Sequence, residues 1–345
     1  MQPIETLSDL LQQIKGQYRV YDMGCRLSKL SAAEFRAFEA GLKPYPLPWL
    51  RHAWVGILSW SHNPNQNLAD TTPTIWFLKF PLDERGQLIQ AARDEFLNQL
   101  LETIGTNMVD QQASSEWAEQ LKHSNLAFTP DQARMAAFHA HASQQLEQAP
   151  SSFYAGVQKY MANTDSAHGW QELGLQGFAD FASYLDQQPP WLHKVASVPS
   201  AVLQTLATQL ENQTIDHALA AAFIERGKNS KDEGEQVACL RAVSLSPDTK
   251  VRQQWLTQLL AKENQVGVEM LATITCKCSH DLLAQELMAL FVEQCASDQG
   301  IFNGLVQELM YQPKLRAQVL AAFREDGRSP QLMQAIGSLM GQNQS

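Results

Sequence analysis

The stretch His52-Ala-Trp-Val-Gly-Ile-Leu-Ser-Trp60 is rich in aromatic and β-branched residues, and turn-forming residues follow it directly. After a polar loop comes a second apolar run, Thr74-Ile-Trp-Phe-Leu-Lys-Phe80. Two such runs, joined by a loop of Asn, Asp, Thr and Pro, predict a pair of antiparallel strands with a long connection. The rest of the predicted fold is arranged around this pair.

The residues before this pair predict a second hairpin. Residues 18–21 and 25–30 both alternate between apolar and polar side chains, and a turn containing Gly24 separates them. Ser31-Ala-Ala-Glu34 has the spacing of a capping box, which predicts a helix that stops at Gly41. A further helix is predicted from about residue 87 to 104. We therefore expect an α+β domain over residues 1–108, with four antiparallel strands covered by helices on one face.

Residues 109–345 predict a large all-α domain, because no run after about residue 110 alternates as a strand. Prolines stand near the predicted start of several helices: Pro130, Pro150, Pro199, Pro247, Pro313 and Pro330. Alternate helices are predicted to begin near residues 199, 230, 266, 299 and 329, at intervals of 31, 36, 33 and 30 residues. Such intervals are typical of helix hairpins and predict an α-solenoid of HEAT-like repeats. A globular helical bundle is the alternative.

Composition excludes several classes of function. The chain has 345 residues, of which 44% are hydrophobic and 18% charged, and a formal net charge of −10. No window approaches ~20 consecutive apolar residues, so no membrane span is expected. The negative charge argues against binding of nucleic acid or anionic lipid, because both need clustered Lys and Arg. Residues 111–225 contain eleven acidic and four basic residues. This excess predicts either a solvated surface or a docking face for a basic protein partner.

Cysteine content and the N-terminal residues favour a cytoplasmic location. The five cysteines are an odd number at low density, which is not the pattern of a disulfide scaffold. Met1-Gln-Pro-Ile-Glu-Thr6 lacks the basic start and apolar core of a secretory signal.

One group of residues suggests metal binding: Cys276, Cys278, His280 and Cys295 supply four soft ligands. A tetrahedral zinc site usually takes cysteines in pairs two to four residues apart, and here the paired spacing is one residue. Side chains two apart on a helix point about 200° from each other, and cysteine is often buried as a small hydrophobic residue. We therefore expect packed cysteines and no metal or other cofactor.

Two charged groups and a tryptophan of the first domain are candidates for binding. Lys79, Asp83 and Arg85 lie near the strand-to-helix turn. Arg19, Asp22 and Arg26 follow the first hairpin. Half of the eight tryptophans lie in this domain, and Trp49 is one of them. Charges at strand ends are usually solvated or paired, and tryptophans usually form a core, but Trp and Arg are also favoured at binding hot spots.

Two segments resemble the signature segments of an uncharacterised family: Tyr18-Arg-Val-Tyr-Asp-Met-Gly24 with Arg26, and Trp76-Phe-Leu-Lys-Phe-Pro-Leu-Asp-Glu84. The family is a domain-of-unknown-function family of gammaproteobacterial proteins of about this length. The resemblance implies a bacterial cytosolic protein. It implies no activity, cofactor or catalytic residue.

The main hypothesis is a non-enzymatic protein-interaction or scaffold protein that uses the helical array, the aromatic-rich first domain, or both. It is favoured by the repeat spacing and by the absence of Gly-x-Ser-x-Gly, His-Glu-x-x-His and dinucleotide-binding motifs. The alternative is an enzyme or small-molecule-binding protein with a site in the cleft between the two domains.

Overall fold

The computed structural model describes residues 4–13, 16–61, 67–104, 124–163, 169–188, 190–262 and 265–342. Two compact units make up the chain, Met1–Pro150 and Ser151–Ser345. The first contains a sheet with helices, and the second is helical over its described residues. The turn expected after Ser61 lies outside the described residues.

A four-stranded antiparallel sheet forms the centre of the first unit, in the order β2-β1-β3-β4. The strands are β1 (Gly16–Asp22), β2 (Ser28–Leu30), β3 (His52–Ser61) and β4 (Thr74–Pro81). Both predicted antiparallel strand pairs are therefore confirmed. In the register of the central strands, Ile57 of β3 lies opposite Val20 of β1 and Trp76 of β4.

One face of the sheet carries Val20, Val55 and Ile57, all buried, in the alternation that a pleated strand imposes. The helices of this unit are α1 (Leu7–Gln13), α2 (Ala32–Glu39), α3 (Gln90–Ile104) and α4 (Gln132–Gln145). The first two contact β1, and α3 contacts β4. The predicted capping box of α2 is confirmed, since Ser31 and Glu34 bond each other's backbone amides.

The opposite face is covered by α4. Tyr21, Leu58 and Phe77 of the sheet pack in one apolar cluster with Phe138 of this helix. A Cβ at Gly56 would lie 2.7 Å from Cε2 of Phe138, so the glycine allows the ring to sit on the strand. The expectation of helices on one face is therefore wrong. The compact first unit continues past residue 108 to Pro150, because it includes this helix.

The helices of the second unit confirm the predicted starts near Pro199, Ser230, Val266, Gln299 and Ser329. They are α5 (Tyr154–Ala162), α6 (Leu175–Ser183), α7 (Ser200–Leu210), α8 (His217–Asn229), α9 (Glu233–Val243), α10 (Thr249–Leu260), α11 (Val268–Lys277), α12 (Gln285–Cys295), α13 (Gln299–Tyr311), α14 (Pro313–Ala322) and α15 (Pro330–Gln342). Pro313 occupies the first turn of α14, where its missing amide has no intrahelical partner.

Helices two apart in the chain pack against each other in the second unit. The contacts α7–α9, α9–α11, α11–α13 and α13–α15 form one row, and α8–α10, α10–α12 and α12–α14 form another. A continuous apolar core lies among these helices. Within the described parts of the chain, no helix combines the length and the apolar character needed to cross a bilayer.

Candidate functional site

The candidate site is built around a two-residue turn at the start of β3. Trp49 and His52 exchange backbone hydrogen bonds of 3.1 and 3.0 Å across Leu50 and Arg51. Both central residues have positive φ, 49° for Leu50 and 58° for Arg51. Two positive φ angles define a type I′ turn, which normally has Asn-Gly at these positions. A branched and a long side chain therefore occupy a backbone conformation that disfavours both.

Three further hydrogen bonds hold this strained turn. Trp54 donates from its indole Nε1 to the carbonyl oxygen of Trp49 at 2.7 Å. His52 donates from Nδ1 to the carbonyl oxygen of Leu50 at 2.7 Å. The amide of Leu82 donates to the carbonyl oxygen of Arg51 at 2.9 Å. The surroundings thus fix the conformation, as strained backbone in a folded protein requires.

Large apolar side chains are exposed on this turn and beside it. We call this set the turn surface: Leu42, Leu47, Leu50 and Ile89, exposed by 77%, 42%, 57% and 41%. Backbone bonds hold the two contributing segments side by side, since the amide of Tyr45 donates to the carbonyl oxygen of Gly86 at 2.9 Å. The exposed apolar side chains of these two segments make them a candidate interaction surface.

The charged residues near the turn surface are exposed, and one of them also has a structural role. Lys43, Arg51 and Arg85 are exposed. Asp83, a predicted binding residue, accepts hydrogen bonds of 2.8 Å at Oδ1 from the amides of Arg85 and Gln87. Asp83 therefore shapes the turn that precedes α3, whereas Arg85 extends from that turn into solvent.

Asp22, also a predicted binding residue, is buried and anchors the segment before the turn. Its Oδ1 accepts a hydrogen bond of 2.8 Å from the hydroxyl of Tyr45, and its Oδ2 accepts one of 3.2 Å from the amide of Gly24. A Cβ at Gly24 would lie 3.1 Å from Cβ of Trp49. The structure thus brings the predicted residues Asp22 and Trp49 into one neighbourhood, with Asp22 inside and Trp49 half-buried.

Other predicted residues lie elsewhere on the sheet. Arg19 and Asp22 are three residues apart on β1, so their side chains leave opposite faces. The Arg19 guanidinium lies 5.5 Å from the ring centre of Trp60, and Lys79 Nζ lies 5.9 Å from that of Trp54. Both cations therefore stack on tryptophans of the face that α4 covers. Arg26 is half-buried in the connection between β1 and β2.

The cysteines considered for metal binding are not arranged as a ligand group. Cys278 and Cys295 are fully buried, and burial raises the pKa of the Cys295 thiol well above its usual value. His280 Nε2 lies 2.8 Å from a guanidinium nitrogen of Arg252, which bonds the buried Asp281. Within the described residues, no three His, Cys, Asp or Glu side chains are placed to hold a metal ion together.

The second unit has a cavity of about 500 Å³ that contains a charged pair. Arg226 and Glu235 bond at 2.8 Å, and Arg226 also donates to the carbonyl oxygen of Val195 at 2.7 Å. Glu235 accepts further hydrogen bonds from Ser200 and Ser230 at 2.5 and 2.9 Å. These hydrogen bonds lower the pKa of Glu235, and the bond from Ser200 has the largest effect. The pair is thus satisfied within the fold, which is typical of a structural network.

Sequence reasoning missed the apolar members of the turn surface. It nominated Trp49, Asp83 and Arg85, which lie in the same two segments, from their residue types alone. Part of a signal was present in Lys43-Pro-Tyr-Pro-Leu-Pro-Trp49, because prolines at alternate positions prevent regular structure there. Of the intervening side chains, Leu47 is exposed but Tyr45 is buried, so the pattern alone does not identify the exposed residue.

Comparison with known proteins gives a family match. Residues 2–340 match the model of a family described as "Protein of unknown function (DUF3549)". Neither the curated proteins nor the solved structures gave a match to the chain.

Proposed function

The chain belongs to the DUF3549 family of proteins of unknown function, and from the geometry of its first unit we propose that it is a non-enzymatic protein-interaction protein. It binds another protein through the turn surface, with Leu50 as the central anchor. Trp49, Arg51 and Arg85 border this anchor.

The strained turn that exposes Leu50 carries this proposal. A non-glycine residue with positive φ in the left-handed region costs roughly 1–2 kcal/mol. The chain accepts this cost at two consecutive positions, Leu50 and Arg51, and fixes the turn with three additional hydrogen bonds. As a result, the Leu50 side chain is 57% exposed in a turn whose conformation is fixed by hydrogen bonds. Strain and apolar exposure at one point favour a binding role, since neither stabilises the isolated protein.

The residues around the anchor indicate the chemistry of the partner. Lys43, Arg51 and Arg85 are exposed cations around the apolar side chains, and Glu84 is an exposed acid among them. Asp83 uses one carboxylate oxygen to bond two backbone amides. We therefore expect a partner that presents an apolar pocket or groove bordered by carboxylates.

The helices of the second unit support a further part of the proposal, an α-solenoid of HEAT-like hairpins. Two rows of helices, each packed on the next member of its row, together with starts 28 to 36 residues apart within a row, are what stacked hairpins would give. Such an array offers an extended surface to a second, basic segment of a partner. Two acids of the 111–225 segment, Asp180 and Glu211, are buried and bonded, so they do not contribute to such a surface.

The proposal keeps the cytoplasm as the compartment, since the five cysteines, all among the described residues, form no disulfide. The alternative of a catalytic or small-molecule site between the two domains stays a prediction. Two residues nominated for it, Asp22 and Asp83, make hydrogen bonds within the first unit.

An affinity experiment with matched variants tests the role of Leu50. The tagged full-length chain, its Leu50→Asp variant and its Val268→Asp variant are used to capture proteins from the cytosol of the source organism, followed by quantitative mass spectrometry. Val268 is the control because it is also 57% exposed but lies in the second unit. We expect one partner that the wild-type chain and the Val268→Asp variant retain and the Leu50→Asp variant loses.

The partner is then purified, and its dissociation constant is measured with each chain. Loss of a hot-spot side chain costs about 2 kcal/mol or more, so Leu50→Asp is expected to weaken binding by roughly 30-fold or more. Equal affinity for all three chains, or no protein retained by the wild type, would reject the proposal.

A further inference from the structure

The outer edge of β4 is paired over only part of its length. The amide of Lys79 donates to the carbonyl oxygen of Leu126 at 2.7 Å, and the amide of Phe128 donates to the carbonyl oxygen of Phe77 at 3.1 Å. These two bonds flank one antiparallel bridge. They show that the odd-numbered residues of β4 direct their backbone N–H and C=O groups outward, away from β3.

The pairing stops before Ile75, the next residue of β4 that faces outward. Continued in the same register, the segment after Phe128 would place Pro130 opposite Ile75, at a position where two residues exchange both backbone hydrogen bonds. Proline has no amide to donate. No hydrogen bond joins the outward groups of Ile75 to another described residue. The edge therefore presents one N–H donor and one C=O acceptor side by side.

A cavity of about 400 Å³ lies between Ile75 and Pro130, and both residues line it. The rest of its lining comes from residues 76–78 of β4, residues 127–129, Met135 and His139. Successive side chains of a strand leave opposite faces, so a cavity that contacts four consecutive residues reaches the edge of the strand, where the backbone groups lie. We call it the edge cavity.

The walls of the edge cavity favour a flat, uncharged molecule. The rings of Phe77 and Phe128 have centres 5.9 Å apart, and Met135 and His139, four residues apart on α4, line the same side. None of the described lining residues is Asp, Glu, Lys or Arg, so no opposite charge would compensate an ionised ligand. The volume lies toward the lower end of the roughly 300–1,000 Å³ of ligand pockets, which suits one or two fused rings.

We propose that the edge cavity binds a neutral, planar heteroaromatic molecule whose rim carries an N–H donor next to a C=O acceptor, as a lactam ring does. The ligand N–H bonds the carbonyl oxygen of Ile75, and the ligand carbonyl accepts from the Ile75 amide. The ligand thus takes the place of the pairing that Pro130 cannot make. Its ring lies against Phe128 and Met135, where aromatic and sulfur contacts stabilise it.

An extended peptide is the alternative occupant, and the length of the free edge argues against it. β4 begins at Thr74, and Pro73 before it has no amide. Ile75 is therefore the one outward-facing residue of the described β4 edge with neither backbone group bonded. Strand addition gains its affinity from a series of main-chain hydrogen bonds. A single donor and acceptor suit a small molecule.

NMR of the deuterated, isotope-labelled full-length chain tests the proposal with matched probes. 2-Quinolone carries the lactam donor and acceptor on a fused aromatic ring, and N-methyl-2-quinolone keeps the ring and the carbonyl but lacks the donor. Both are titrated into the wild type, into Met135→Trp, which fills the cavity, and into Met333→Trp, which adds the same ring at a position of the second unit that is 51% exposed. A blocked five-residue peptide of alternating valine and threonine is the probe for strand addition. Circular dichroism verifies that each variant is folded.

We expect 2-quinolone to shift the amide proton of Ile75 downfield in the wild type and in Met333→Trp, but not in Met135→Trp. A dissociation constant on the order of 1 mM is what the size of this probe implies. N-methyl-2-quinolone should bind the wild type at least about 5-fold more weakly, because the Ile75 carbonyl oxygen then has no donor.

The comparison of the two quinolones needs only the wild type, so it does not depend on how the variants fold. No Ile75 shift with 2-quinolone, or equal affinity for both quinolones, would overturn the proposal. An undiminished shift in folded Met135→Trp would place the ligand outside the edge cavity and overturn it as well. An Ile75 shift caused by the peptide alone would show strand addition in its place.

Discussion

The hydroxyl of Tyr45 donates a hydrogen bond of 2.8 Å to Oδ1 of Asp22, and both residues are buried. The bond joins the end of β1 to the proline-containing segment that leads into the turn surface. Burial, and after it the negative charge of Asp22, raises the pKa of Tyr45 well above its usual value, so the hydroxyl keeps its proton and remains a donor. Asp22 thus acts as an internal anchor for the segment.

Tyr45→Phe removes this donor and leaves a buried carboxylate oxygen without it. We expect the free energy of unfolding to fall by about 1–3 kcal/mol, the usual cost of a buried polar atom that loses its partner. Urea denaturation followed by circular dichroism measures the change. Tyr18→Phe is the matched control on β1, since the Tyr18 hydroxyl makes no hydrogen bond to another described residue. Equal losses in the two variants would contradict the anchor role.

Glu39 makes the first unit sensitive to pH. Its carboxyl group accepts hydrogen bonds from the amides of Leu7 and Ser8 at 2.9 and 3.1 Å, which ties α2 to the start of α1. Burial raises the pKa of Glu39 from its usual 4.5 to about 7, against the opposing effect of these bonds and of the Arg93 charge. The folded state therefore binds this proton more tightly than the unfolded state does.

The stability that this proton contributes is fully present below about pH 4.5 and is lost as the pH rises through 7. We expect a loss of up to about 3 kcal/mol across this window. Glu39→Gln carries no titrating proton, so its unfolding free energy should lack this fall. Denaturation of both proteins at intervals from pH 4.5 to 8 measures the difference. If the unfolding free energies of both proteins fall equally as the pH rises, Glu39 is not the cause of the fall.

Gly227 lies against Trp255 so closely that a Cβ would be 2.5 Å from Cζ2 of the indole. Gly227→Ala is therefore expected to destabilise the second unit by about 1–3 kcal/mol, the usual effect of overpacking. Gly304→Ala is the control, since Gly304 is also helical but has no described atom within 4 Å of its Cβ position. There alanine is expected to stabilise by roughly 0.5–1 kcal/mol through its higher helix propensity. Thermal unfolding of both variants should give shifts of opposite sign.

Much of the fold could be predicted because local signals determine it. Alternation indicates the first two strands, aromatic and β-branched runs indicate the other two, and the capping box of Ser31 and Glu34 indicates α2. The sequence places α4 in the second domain because no run after about residue 110 alternates as a strand and because the helix begins with the same proline signal as the helices after it. Its place on the sheet depends on the contact between Phe138 and Gly56, which joins residues 82 positions apart. No local pattern contains such a contact.

The site was less predictable, for a different reason. A type I′ turn is recognised in sequence by Asn-Gly, and here Leu50 and Arg51 adopt its conformation against their own preferences. Hydrogen bonds from the side chains of His52 and Trp54, which are close in sequence, and from the amide of Leu82, which is 31 residues from Arg51, hold it in that conformation. Residue types could nominate Trp49 and Arg85, but they could not show that Asp22 is buried or that Leu50 projects into solvent.

The double substitution Leu50→Asn and Arg51→Gly separates the strain of this turn from its function. Asn-Gly is the preferred pair for a type I′ turn, so we expect the free energy of unfolding to rise by about 1–3 kcal/mol. Binding to the partner should fall, because the exposed leucine is gone. Thermal unfolding and the dissociation constant of the partner complex measure the two effects on the same protein.

The single substitution Arg51→Gly is the control, since it relieves part of the strain and keeps Leu50. It should gain about half of the stability and lose only the contribution of one surface cation to affinity, roughly 1 kcal/mol or less. A double variant that is more stable and still binds as tightly as Arg51→Gly would show that the turn conformation, without the leucine, suffices for binding. A double variant that is less stable than the wild type would show that Leu50 contributes to the fold itself, and the strained turn would then no longer indicate a binding surface.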